Sequence, residues 1–113
     1  MTLDQLLDYS LAKPDAEETF PFGPDVLVLK VKGKLFLLIP LERDPLQFNA
    51  KCDPERAIEL REEYASIIPG YHMNKKHWNT IILDGTLPNS LIIELIDHSY
   101  DLVAIGKKRV KKN

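Results

Sequence analysis

Cysteine occurs once, at Cys52, so no intrachain disulfide can staple this chain. Glycine is sparse too, and none of the five forms a Gly-rich phosphate loop or a dinucleotide fingerprint. No run of 18 apolar residues is present to cross a bilayer, and no apolar leader opens the chain. No Ser or Cys stands in a nucleophile motif. These absences lead us to expect a soluble protein in a reducing, cytoplasmic setting, without a membrane partner, that binds rather than catalyses. No cofactor is implied and no catalytic residue is assigned.

What is present suffices for one core. The 113 residues are 44% hydrophobic, the size and composition of one ordinary domain. We place that domain at residues 1–106 and expect 107–113, with Lys107, Lys108, Arg109, Lys111 and Lys112, to be a disordered basic tail. The formal charge of −2 therefore conceals a body near −7, ten basic against seventeen acidic residues. An acidic body is unusual in a dedicated DNA binder.

Thr2 and Gln5 read as a capping box, followed by Leu3, Leu6, Leu7 and Leu11 at helical spacing. Glu17 to Phe22 is expected to form a short strand with Phe20 and Phe22 on one face, closed by the turn Phe22-Gly23-Pro24-Asp25. Two apolar runs, 26–31 and 35–40, flank Lys32-Gly33-Lys34 and predict a hairpin. Residues 46–51 alternate as a further strand. Asp53-Pro54 then starts a helix to about Tyr64, with Ala57, Leu60 and Arg61 on one side and its glutamates facing water. Pro69-Gly70 marks a break. A last helix opens at Pro88, carries Ile92, Leu95, Ile96, Ser99, Leu102 and Val103 as an apolar stripe, and is capped by Gly106. The fold class expected is α+β, an antiparallel sheet of four to six strands with helices packed mainly on one face.

The stretch from Tyr71 to Pro88 concentrates the chemistry. It holds Tyr71, His72, Asn74, Lys75, Lys76, His77 and Trp78 immediately before an apolar strand. Period-two alternation puts Trp78, Thr80 and Ile82 on one face of that strand and His77, Asn79, Ile81 and Leu83 on the other. Asp84-Gly85 ends it. The gap between His72 and His77 is no recognised ligand spacing, so no metal site is assigned.

Pro69 to Thr80, with Asp84-Gly85 and Pro88 behind it, resembles the YjbR/MmcQ family. Lys13 to Phe22, Lys32-Gly33-Lys34 and Lys51 to Arg56 resemble it in the same order, so the likeness runs from Leu6 to about Val103. It implies a CyaY-like α+β fold and a DNA-binding role through a double-wing arrangement. In that role Lys30, Lys32 and Lys34 of the hairpin, with Lys75 and Lys76 and the basic tail, would contact phosphates, and His72, Asn74 and His77 would donate hydrogen bonds. Tyr71 or Trp78 would stack on bases. The blander reading makes the lysines a solvated pair and Trp78 a core residue whose indole N–H finds a carbonyl. The alternative function is a small-molecule- or protein-binding module at the same loop, with Tyr71, His72, Trp78 and Phe22 lining a pocket. An acidic body suits a small anionic ligand or a protein better than bulk DNA. Cys52 reads as a structural thiol and His98 as a surface or boundary residue.

Overall fold

The computed structural model describes residues 1–70 and 73–106. Its elements run α1 (Leu3–Leu11), β1 (Ala16–Thr19), β2 (Val26–Val31), β3 (Lys34–Pro40), β4 (Gln47–Lys51), α2 (Pro54–Glu63), β5 (Ile67–Pro69), β6 (Trp78–Ile82) and α3 (Asn89–Ile105). The strands form one antiparallel sheet in the order β1-β2-β3-β4-β6-β5. Helices α1, α2 and α3 pack on the sheet face that carries Leu27, Leu29, Ile39, Phe48, Ala50 and Ile81. An α+β fold with six strands and one helical face is therefore what this sequence makes.

The helix starts follow local chemistry. Thr2 accepts from the Gln5 N–H at 3.2 Å while the Gln5 side chain accepts from the Thr2 N–H at 2.9 Å, which completes the capping box. Asp53 caps α2 by accepting from the Arg56 N–H, with Pro54 in the first turn. Gly106 ends α3 in the left-handed region at φ 86°. Helix α1 is tied to α3 through Asp97, which accepts from the Tyr9 hydroxyl at 2.5 Å and pairs with Lys13. The Lys13 ammonium also lies 5.1 Å from the Tyr9 ring and 5.6 Å from the Tyr100 ring.

The hairpin forms as expected, but its turn needs two left-handed residues. Lys32 (φ 53°) and Gly33 (φ 77°) form the two-residue loop that matches strand twist. A register shift between Leu29 and Lys30 leaves Phe36 as an extra residue on β3, since Leu29 faces Leu37 and Lys30 faces Leu35. This bulge is why Phe36 and its neighbour Leu37 are both in the core, where strict alternation would send one of them outward. Phe36 then packs edge-on against Tyr100 at 5.3 Å.

Beyond the bulge, β3 and β4 part after pairing through Leu37↔Ala50 and Leu38↔Asn49. Ser99 of α3 fills the gap. Its hydroxyl donates to the Phe36 carbonyl at 2.6 Å and accepts from the Lys51 N–H at 2.8 Å. The next two backbone donors of β4's exit are met in turn, Cys52 N–H by the His77 carbonyl at 2.7 Å and Asp53 N–H by His98 Nε2 at 3.1 Å. His98, half-buried at the boundary as expected, is thus also a structural acceptor.

One expectation is corrected and one strand is added. The first strand stops at Thr19, because Pro21, Gly23 and Pro24 break the extended run, and both Phe20 and Phe22 stand exposed in the connection to β2. Ahead of the Pro69-Gly70 break lies β5, an edge strand in which Ile67 faces Ile81 and Pro69 faces Asn79. Proline is tolerated there because an edge strand has one side with no partner to receive an N–H.

Two outcomes test this framework. Ser99→Ala orphans a buried carbonyl and a half-buried N–H together, so urea unfolding should show a loss of roughly 1–3 kcal/mol with an unchanged denaturant slope. Burial, then the nearby Arg56 guanidinium, holds His98 below the ordinary histidine range. The unfolded chain therefore takes up this proton first as pH falls, so the contribution is complete above the unfolded pKa and is lost on acidification through the folded value. The wild-type urea midpoint should fall between about pH 7.5 and about pH 5.5 by more than that of His98→Gln, which removes the titration.

Candidate functional site

With the helices on one side, the other face of the sheet is finished by loops. Phe22 from the β1–β2 connection, Arg43 from the β3–β4 connection and Met73 from the β5–β6 connection surround a concavity of about 410 Å³. Its floor is Val26, Leu38, Pro40, Gln47, Asn49 and Thr80. Asn49 and Thr80 face each other across β4 and β6, in register and on the side away from Phe48 and Ile81. The Thr80 hydroxyl donates to Asn49 Oδ1 at 2.5 Å, and both residues are nearly inaccessible, 5% and 3% exposed. The Asn49 carbonyl is therefore engaged, while its NH₂ group has no acceptor among the described residues. Phe22 remains 66% exposed where it lines the concavity.

The alternation read from the sequence for β6 is the one that builds this site. Thr80 faces the cavity, while Asn79 and Ile81 face the helices, with Asn79 Oδ1 accepting from Arg61 Nε at 2.6 Å and Asn79 Nδ2 donating to the Ala57 carbonyl at 3.4 Å. Trp78 is 9% exposed, so its indole is largely sequestered. Gly70 makes room for it, because a Cβ there would lie 3.1 Å from the Trp78 Cβ and 3.2 Å from its carbonyl oxygen.

The lysine-bearing segments emerge together at one end of the sheet. The Lys32-Gly33 turn, the end of β4 at Lys51 and the approach to β6 at Lys75 to His77 share that end, since Lys51 is paired with Trp78 and β3 runs antiparallel to β4. Lys32 Nζ donates to the Ala104 carbonyl at 3.2 Å, where a cation neutralises the C-terminal end of α3. Lys34 and Lys76 are exposed. Asn74 turns its own loop, accepting from the Lys76 N–H at 2.9 Å, and Arg61 donates to the Lys75 carbonyl from beneath. His77 lies beside Lys51, Cys52, Asp53, Leu102 and Gly106 around a second hollow of about 350 Å³. Burial, and then the Asp53 carboxylate, push the Cys52 thiol up to about 11, against the opposing pull of Arg56 and Arg61, so it is neutral at physiological pH. Tyr71 and His72 lie outside the described residues, as does the basic segment 107–113.

The sequence reading picked Phe22 as a pocket residue but passed over Arg43, Gln47, Asn49 and Thr80. A signal for the last three existed: polar side chains at matching alternate positions of strands whose other face is apolar. Their pairing across β4 and β6 joins residues 31 apart in the chain, which no local pattern reveals.

The family model described as YjbR matches residues 11–102. The Escherichia coli K12 protein YjbR is 38% identical over 100 residues, spanning 88% of this chain and 85% of its own. The Bacillus subtilis protein YyaQ is 46% identical over 54 residues, about half of each chain. Among solved structures, a Deinococcus radiodurans protein with a DUF419 domain superposes with a TM-score of 0.86 at 47% identity, covering 90% of this chain and 78% of that one. A Pseudomonas syringae protein superposes at 0.78 with 32% identity, covering 91% and 99%. Extensive identity and a shared fold over the same span leave one conclusion: this chain belongs to the YjbR family.

Proposed function

We propose that this protein is a non-catalytic binding module whose ligand occupies the loop-rimmed concavity on the helix-free face of the sheet. The observation that carries this reading is a cavity of about 410 Å³ in which an apolar half, Phe22, Val26, Leu38, Pro40 and Met73, meets a few convergent polar groups. That combination is the usual form of a small-molecule site, and the volume lies at the small end of the usual range. The polar groups argue for holding a ligand over transforming it. Arg43, Gln47, Asn49 and Thr80 offer a guanidinium, two amides and a hydroxyl, groups suited to hydrogen-bonding a bound molecule.

A second reading, DNA binding, is favoured by one observation: the hairpin lysines, Lys51 and the Lys75-Lys76 loop share one end of the sheet. Two features weigh against it. Lys32 serves the C-terminus of α3, and the body of the chain carries an excess of about seven negative charges, ten basic against seventeen acidic residues, that would repel phosphates on approach.

The readings separate in one experiment. In a fragment screen followed by amide chemical shifts, wild type should bind small apolar compounds with saturable shifts at Leu38, Asn49 and Thr80. Leu38→Trp, which fills the concavity, should lose them while keeping its melting temperature. Salt-sensitive binding of labelled duplex DNA that survives Leu38→Trp but is lost in Lys75→Ala/Lys76→Ala, together with no fragment binding, would replace the cavity reading with the DNA reading.

A further inference from the structure

The two halves of the concavity differ in chemistry in a way that selects a class of ligand. Its apolar half comes from β2 and β3, where Val26 and Pro40 are cross-strand partners and Leu38 lies on the same face. Its polar half comes from β4 and β6, with Gln47 and Asn49 two residues apart on one strand and Thr80 directly opposite Asn49. A ligand spanning the site would rest an apolar body against one half and present a polar group to the other.

The polar half is rich in donors. Thr80 spends its proton on Asn49 Oδ1, which takes up one of that carbonyl's two acceptor positions and leaves the NH₂ of this lining residue with no acceptor among the described residues. Arg43 brings a guanidinium, which has five N–H donors and no acceptor, and among the described residues it makes no ion pair or hydrogen bond. Among the described residues, no Asp or Glu lines the concavity, although the chain holds seventeen of them. A positive, donor-rich wall in an otherwise acidic protein is complementary to an anion, and a planar guanidinium matches a carboxylate in a two-point fork. The exposed Phe22 ring and the Met73 thioether at the rim would close over the apolar body.

Resting on the cavity reading above, we infer that the ligand is a small amphipathic monoanion, its carboxylate held by Arg43 and the Asn49 NH₂ and its apolar body packed between Leu38 and Phe22. Titration of the full chain with 2-naphthoate, with uncharged 2-naphthalenemethanol and with inorganic phosphate tests this, read by amide shifts at Leu38, Asn49 and Thr80. Naphthoate should bind at least about tenfold more tightly than the alcohol, a gap expected of a charge-assisted hydrogen-bonded head. Arg43→Gln, at an exposed position that leaves the core intact, should remove most of that gap. Equal affinity for acid and alcohol at the same amides would overturn the anionic class and leave the cavity reading standing. Inorganic phosphate displacing naphthoate at comparable concentration would overturn the need for an apolar body. Failure of both naphthyl compounds to move these amides would overturn the class and the cavity together.

Discussion

The hydroxyl of Ser99 does work that no residue in the sheet can do. The Phe36 bulge pulls β3 away from β4, and the rung that would have joined the Phe36 carbonyl to the Lys51 N–H is replaced by one buried side chain of α3. A buried backbone group without a partner costs as much as a lost hydrogen bond, so the bulge is tolerable only because α3 crosses at this point. The bulge in turn buries Phe36 and Leu37 side by side and so thickens the core beneath α3. Helix position, strand irregularity and core packing are therefore one arrangement.

That arrangement makes the molecule two-sided. On the helical face, the buried Ser10 hydroxyl apart, polar groups are spent internally: Ser99 on two strands, His98 on the start of α2, Arg61 on Asn79 and on the loop into β6, and Asn79 also on the Ala57 carbonyl. On the opposite face, Asn49 and Thr80 satisfy each other only in part, and loops rather than a helix complete the cover. Internal satisfaction yields rigidity, whereas partial satisfaction around a concavity yields a surface able to hold something else.

Elements whose signals are local could be read directly. The Thr2–Gln5 box, the Asp53-Pro54 start, the Lys32-Gly33 turn and the Gly106 cap each depend on residues within four positions of one another, and each is where the sequence places it. Strand β5 was hidden because three residues ending in Pro69, with Gly70 next, carry no periodicity, and become a strand only by pairing with β6. Phe20 and Phe22 misled for the opposite reason, since alternation of aromatics suggests a strand wherever no partner's register is known. The loop before β6 was legible from the Pro69-Gly70 break and its cluster of polar residues as well as from family resemblance, and in the structure Asn74 and the Lys75 carbonyl are occupied in holding that loop in place.

By itself, the sequence determined the α+β class, the helix boundaries set by caps, the two-faced alternation of β6 and the acidic body, because these follow from neighbouring residues or from simple counting. Only the tertiary structure decided that Ser99 would splice β3 to β4, that His98 would cap the exit of β4, and that Phe22, Arg43, Asn49, Met73 and Thr80 would meet around one concavity. Those meetings join residues tens of positions apart, and their geometry is set by strand order and a one-residue bulge. Both arise from how the whole core packs and are recorded in no single stretch of the chain.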